Sequence, residues 1–172
     1  MDLRKTLLLA HDLFTNEGID HALIGGLAMV NLGLTRATID VDLLIDVENK
    51  DKAKNILHKN GFNIVHETND FLQFSGIGLI DILLAQRPIS REMLKNANLI
   101  PELNIKCLAP EDIIGLKIQA FSNDVSREFQ DKADIQFLIE NYPALDWVKI
   151  KSYSDLFNKW NEIEKIKNKT HI

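Results

Sequence analysis

Apolar positions alternate between helical and strand spacing along the first half of the chain. Leu3, Leu7, Ala10 and Phe14 recur at helical spacing, and Glu17-Gly18 supplies a stop, so residues 2–17 are predicted as an amphipathic helix. Ile19 to Ile24 reads as a short buried strand broken by Gly25-Gly26, and Leu27 to Leu32 as one or two helical turns. Gly33 to Ile39 reads as a loop. Val41 to Ile45 is a strand with Val41, Leu43 and Ile45 on one face and Asp40, Asp42 and Leu44 on the other. Asn49 to Asn60 reads as a helix with Ala53, Ile56 and Leu57 on its apolar side and Asn60-Gly61 as its C-cap. Two strands, Phe62–His66 and Asp70–Phe74, flank a turn at Glu67-Thr68-Asn69. After a turn punctuated by Gly76 and Gly78, Leu79 to Ala85 is an apolar strand interrupted by Asp81.

Beyond Gln86 the pattern becomes helical. Arg87-Pro88-Ile89-Ser90 reads as a connector, with Ser90 capping a short helix at 91–97. Asn104 to Leu108 is expected to be an edge strand. Pro110-Glu111-Asp112 opens a helix running to about Phe121, since proline suits the first turn and acids favour the N-terminal dipole. A second helix is expected from Ser126 to Glu140, ended by Tyr142-Pro143, and a third over 146–158; the Lys- and Asn-rich tail after Trp160 is expected to fray. There is no internal repeat. Strands mixed with helices, then helices alone, indicate an α+β fold: a mixed sheet flanked by helices over 1–108 and a C-terminal helical extension over 109–172, packed on the core as one compact unit.

Composition narrows the class. At 172 residues the chain can build one real core. The net charge of −5 lacks the basic footprint of a dedicated nucleic-acid binder. A single cysteine, Cys107, excludes an internal disulfide and a Cys-rich metal site, and reads as a core thiol. The N-terminus does not read as a signal peptide, and no stretch approaches the ~20 apolar residues of a membrane span, so a cytoplasmic location is expected.

The candidate chemistry lies in three acids. Asp40 and Asp42 stand one residue apart in a strand, so their carboxylates project side by side. Asp81 sits in L-I-D-I-L-L, where every neighbour favours burial. A carboxylate in a buried strand is costly unless paired, hydrogen-bonded or metal-bound. If the two strands are neighbours, the three acids converge into a site for one or two Mg²⁺ ions with a triphosphate. The glycine pair lets backbone amides approach phosphate oxygens. The competing reading has Asp40 capping a strand, Asp42 exposed, and Asp81 paired with Arg36 or Lys117.

Gly25-Gly26, then Asp40-Val41-Asp42, then Asp81 in an apolar strand, resembles the nucleotidyltransferase superfamily of the polymerase-beta type. L-T-R-A-T-I-D-V-D is similar to the Arg-x-Thr-x-Asp-x-Asp segment of its small bacterial members, the AbiE-type toxin and lincosamide nucleotidyltransferases. P-E-D-I-I-G-L-K-I-Q-A and D-K-A-D-I-Q-F-L resemble the AbiE-type Gly-Leu-Lys and Lys-Asp-x-x-Asp segments, with Gln130 in place of the lysine before the first aspartate. The matched stretches span residues 23–138. The resemblance implies roles. Asp40 and Asp42 hold metal, with Asp81 as third ligand or as base. Gly25 and Gly26 hold the triphosphate, with Arg36 and Thr38 nearby. Lys117 contacts phosphates or nucleotide, and Asp131 or Asp134 positions it. From the residues alone, Lys117 equally suits a snorkelling lysine, and Asp131 and Asp134, three apart on one helix face, equally suit a solvated face.

His11, His21, His58, His66 and His171 lack metal-ligand spacing, Ser75 lacks a nucleophile-elbow context, and Trp147 and Trp160 read as packing residues. Two functions follow as expectations. One is a Mg²⁺-dependent nucleotidyltransferase moving a nucleoside monophosphate from an NTP to a hydroxyl of RNA (tRNA-like), protein or a small molecule, with a toxin–antitoxin role beside a cognate antitoxin-like partner as an extension. The other is a non-catalytic module that keeps the fold to hold a nucleotide or partner protein.

Overall fold

A computed structural model describes residues 2–170. The chain forms two compact units, Met1–Leu108 and Ala109–Ile172. The first holds helices α1 (Leu3–Asn16), α2 (Gly25–Asn31), α3 (Lys50–Lys59) and α4 (Pro88–Lys95). Its strands are β1 (His21–Leu23), β2 (Asp40–Asp46), β3 (Asn63–Glu67), β4 (Phe71–Ser75), β5 (Leu79–Ala85), β6 (Asn98–Ile100) and β7 (Ile105–Cys107). They make one sheet in the order β3-β4-β5-β2-β1-β7-β6. The β2–β5 and β1–β7 pairs are parallel and the rest antiparallel, so the sheet is mixed and the fold is α+β.

The apolar face expected of β2 is the core of this unit. Val41, Leu43 and Ile45 are fully buried, together with Ile80 and Ile82 of β5 and Leu72 and Phe74 of β4. Asp2 caps α1 by accepting the Lys5 N–H at 3.2 Å. Arg91 on α4 ties that helix to the far end of β2, with its Nε 3.1 Å from Asp46.

The second unit is helical: α5 (Pro110–Asn123), α6 (Glu128–Asn141), α7 (Trp147–Leu156) and α8 (Trp160–Thr170). Pro110 begins α5 as expected, and Asp146 caps α7 by accepting the N–H groups of Val148 and Lys149 at 2.9 and 3.0 Å. Buried Asp112 joins α5 to α7, accepting from the Tyr153 hydroxyl at 2.5 Å and from Lys149 Nζ at 2.7 Å. Gly115 leaves space for that tyrosine, whose ring lies 2.4 Å from where a Cβ would stand.

Several boundaries differ from the sequence pattern. α4 starts at Pro88, not at residue 91, because proline takes the first turn and Ser90 caps from inside, its Oγ accepting the Arg87 N–H at 3.2 Å. Residues 104–108 do not form the edge. β7 lies between β1 and β6, and the edge is β6, a three-residue strand too short to show periodicity. Helical hydrogen bonding of α2 begins at the Ile24 carbonyl, so the glycines open the helix and do not precede it. The described part of the tail after Trp160, to Thr170, is not frayed. It forms α8, on which Ile163 is fully buried, and Glu162 pairs with Lys132 of α6 at 2.5 Å. Among the described residues no helix is long and apolar enough to cross a membrane.

His21 is buried at the start of β1, its Nδ1 2.8 Å from the Ile19 carbonyl and its Nε2 2.8 Å from His11 Nδ1. A carbonyl only accepts, so Nδ1 carries the proton and the neutral ring offers Nε2 to His11. Burial lowers the His21 pKa and the nearby His11 and Lys106 add to this, against the opposing Ile19 carbonyl and Asp20. The unfolded chain therefore binds the proton more readily, and stability is lost as pH falls below about 6.5, the ordinary histidine value. Urea denaturation at pH 8 and pH 5.5 should show this loss, and His21→Gln should reduce it.

Candidate active site

The parallel pairing of β2 with β5 sets Asp42 directly opposite Asp81, and Asp40 opposite Leu79. Asp40 lies two residues before Asp42 and shares its face. Oxygens of Asp40, Asp42 and Asp81 all lie within 4.8 Å of one another, and all three residues are half-buried. The convergence expected from the sequence is thus present. Two unit charges ~4–5 Å apart repel by roughly 3–4 kcal/mol at an effective dielectric of about 20. Hard oxygen donors on rigid strands fit a divalent cation such as Mg²⁺.

Each acid is held by a neutral donor. Thr38 Oγ1 donates to Asp40 at 2.8 Å, the Gly26 N–H donates to Asp42 at 3.1 Å, and the Gln73 amide donates to Asp81 at 3.0 Å. The segment before β2 alternates half-buried and exposed positions, so Arg36, Thr38 and Asp40 follow one another on the half-buried side. The two glycines have a steric reason that the sequence did not disclose. A Cβ on Gly25, whose φ is +59°, stands 2.1 Å from Asp42 Oδ2, and one on Gly26 stands 2.6 Å from Thr38 Oγ1. Both glycines let the carboxylate strand and its threonine approach the start of α2.

In the second unit, Lys117 of α5 is buried and faces two carboxylates of α6, Asp131 at 3.2 Å and Asp134 at 2.5 Å. Arg127 Nε adds a second cation to Asp131 at 3.2 Å, and Gln130 donates to Asp134 at 3.3 Å. The snorkelling reading of Lys117 and the solvated reading of the aspartates do not hold: Asp131 and Asp134 are only 1% and 2% exposed. Their helix partner draws them inward by charge.

Other candidates stand as expected or apart. Cys107 is buried, and burial pushes its thiol up to about 11. Ser75 ends β4, Trp147 and Trp160 are half-buried beneath Lys167 and Lys151, and His58 and His66 are exposed. Among the described residues the Asp40–Asp42–Asp81 group is the cluster suited to a metal; His171 lies outside the described residues. Gln73 is not apparent as a site residue from the sequence. Its signal was a polar residue at strand spacing between Phe71 and Ser75, legible only once β4 is known to pair with β5.

No family model and no curated protein sequence matches the chain. Solved structures do. The antibiotic-resistance factor ANT(2'')-Ia is similar with a TM-score of 0.67 at 17% identity, over 99% of each chain. The lincosamide antibiotic adenylyltransferase LnuA is similar with a TM-score of 0.56 at 19% identity, over 78% of this chain and 94% of that one. An antigenic nucleotidyltransferase-like protein from Paracoccidioides brasiliensis is similar with a TM-score of 0.61 at 20% identity, over 96% and 92%. The chain therefore has the nucleotidyltransferase fold. These neighbours show the fold and do not bear on the AbiE-type assignment.

Two measurements probe the two clusters. Gly18 and Gly25 both have positive φ, but a Cβ on Gly18 meets nothing within 4 Å. Gly18→Ala should cost about 1–2 kcal/mol from backbone conformation alone, and Gly25→Ala clearly more, by chemical denaturation. Lys117→Met removes the buried cation shared by Asp131 and Asp134 and should cost roughly 3–5 kcal/mol of unfolding free energy by the same method.

Proposed function

We propose that this chain is a Mg²⁺-dependent nucleotidyltransferase that moves a nucleoside monophosphate from an NTP to a hydroxyl of a small molecule. The observation that carries the reading is the convergence of Asp40, Asp42 and Asp81 from paired strands, beside Gly25-Gly26, on a nucleotidyltransferase fold. Asp40 and Asp42 would hold Mg²⁺, with Asp81 completing the set. The metal supplies charge neutralisation at the phosphates and the leaving pyrophosphate. Asp81, on the neighbouring strand, accepts the proton of the acceptor hydroxyl. The acceptor oxygen then forms a bond to the α-phosphorus as the bond from that phosphorus to the pyrophosphate oxygen breaks. Gly25, Gly26, Arg36 and Thr38 line the triphosphate side in this reading, and Asp131 and Asp134 fix Lys117.

A small-molecule acceptor is favoured over RNA on two grounds. The net charge of −5 disfavours a large phosphate-backbone footprint. ANT(2'')-Ia has been seen in complex with adenylyl-2''-tobramycin, and LnuA with bound lincomycin, and both match most of this chain.

The test incubates the purified chain with Mg²⁺ and each α-labelled NTP in turn. Acceptors are tobramycin, lincomycin, total tRNA and a cell lysate. The expected result is a labelled small molecule that Asp42→Ala reduces at least a hundredfold and that EDTA abolishes. Label on tRNA or protein would shift the acceptor class. No labelled product with any NTP would remove the enzymatic reading.

A further inference from the structure

We propose that Gln73 is the positioning residue of the carboxylate centre, fixing Asp81 in the orientation that receives a divalent cation. This rests on the reading of Asp40, Asp42 and Asp81 as a metal centre. β4 and β5 pair antiparallel with Gln73 directly opposite Asp81, and β5 and β2 pair in parallel with Asp81 directly opposite Asp42. The three side chains therefore form a single row across three adjacent strands. Gln73 Nε2 lies 3.0 Å from Asp81 Oδ1 and 3.4 Å from Oδ2, a forked contact that restrains rotation of the carboxylate. An ionised carboxylate only accepts, so the amide must present its NH₂ to Asp81.

The choice of an amide is informative. A lysine or arginine at this position would make a stronger bond to Asp81. It would also cancel the charge that a cation needs. Gln73 holds the acid in place without adding a charge of its own. The Thr38 hydroxyl and the Gly26 N–H, also neutral donors, bond Asp40 and Asp42. Hydrogen bonds to ligating carboxylates set their orientation, and removing one typically weakens metal binding about 10- to 100-fold.

The experiment titrates Mn²⁺ alone into the full chain and follows free Mn²⁺ by EPR, with thermal midpoints measured without metal. Gln73→Met keeps the side-chain volume and removes the donor. Gln73→Asn keeps an amide but withdraws it by one methylene, and carries the test if the methionine variant does not fold. Asp42→Asn is the control for the centre itself. The expected result is binding by the wild type, loss in Asp42→Asn, and roughly tenfold weaker binding in both Gln73 variants with midpoints close to wild type. Wild-type affinity in the Gln73 variants, with or without a lowered midpoint, overturns the positioning role and leaves the metal centre standing. Equal Mn²⁺ behaviour of wild type and Asp42→Asn overturns the metal centre and this inference with it.

Discussion

The molecule's candidate chemistry depends on the register of one strand pair. β2 and β5 run in parallel so that Asp42 meets Asp81. The side-chain period of a strand is two, so a slip of one residue would send one acid into the apolar layer built by Val41, Leu43, Ile80 and Ile82. Burial of that layer, at roughly 25 cal/mol per Å² of apolar surface, opposes the slip. The hydrophobic effect thus supports an arrangement that electrostatics alone disfavours. The acids are placed by the residues that alternate with them.

The second unit uses charge differently. Lys117, Asp131 and Asp134 are nearly removed from solvent, and Arg127 supplies a further cation from the surface. Buried ion pairs gain little net stability over apolar packing but are costly to break. Such a cluster specifies how α5 and α6 align more than it strengthens their contact. Asp112, Lys149 and Tyr153 do the same for α5 and α7. The helices of this unit are therefore registered by polar bonds. The apolar stripe of α6 is weak, its inward face carrying two acids among Ile135, Leu138 and Ile139.

Much of the first unit was legible because β2 and β5 are apolar runs and the acids interrupt them in the same phase. The run of glycines was legible as a signal, but its main steric cause was not. That Gly25 and Gly26 make room for Asp42 and Thr38 follows from residues seventeen and twelve positions away, which only the folded backbone brings close. Gln73 was invisible for a similar reason: nothing local tells a polar strand position facing solvent from one facing a neighbouring acid. β6 escaped notice because three residues carry no period. The ordered α8 was obscured by its lysines and asparagines, whose exposed face outweighs Ile163 in any compositional reading.

The route the chain takes between β2 and β5 has a kinetic corollary. α3, β3 and β4 are all inserted between the two acid-bearing strands, so their pairing is a non-local contact of the kind that closes late and slowly. Until that ladder zips, Asp81 is remote from Asp40 and Asp42. The same connection shields the centre from variation in its own interior, because a lengthened β3–β4 turn leaves the β2–β5 register untouched.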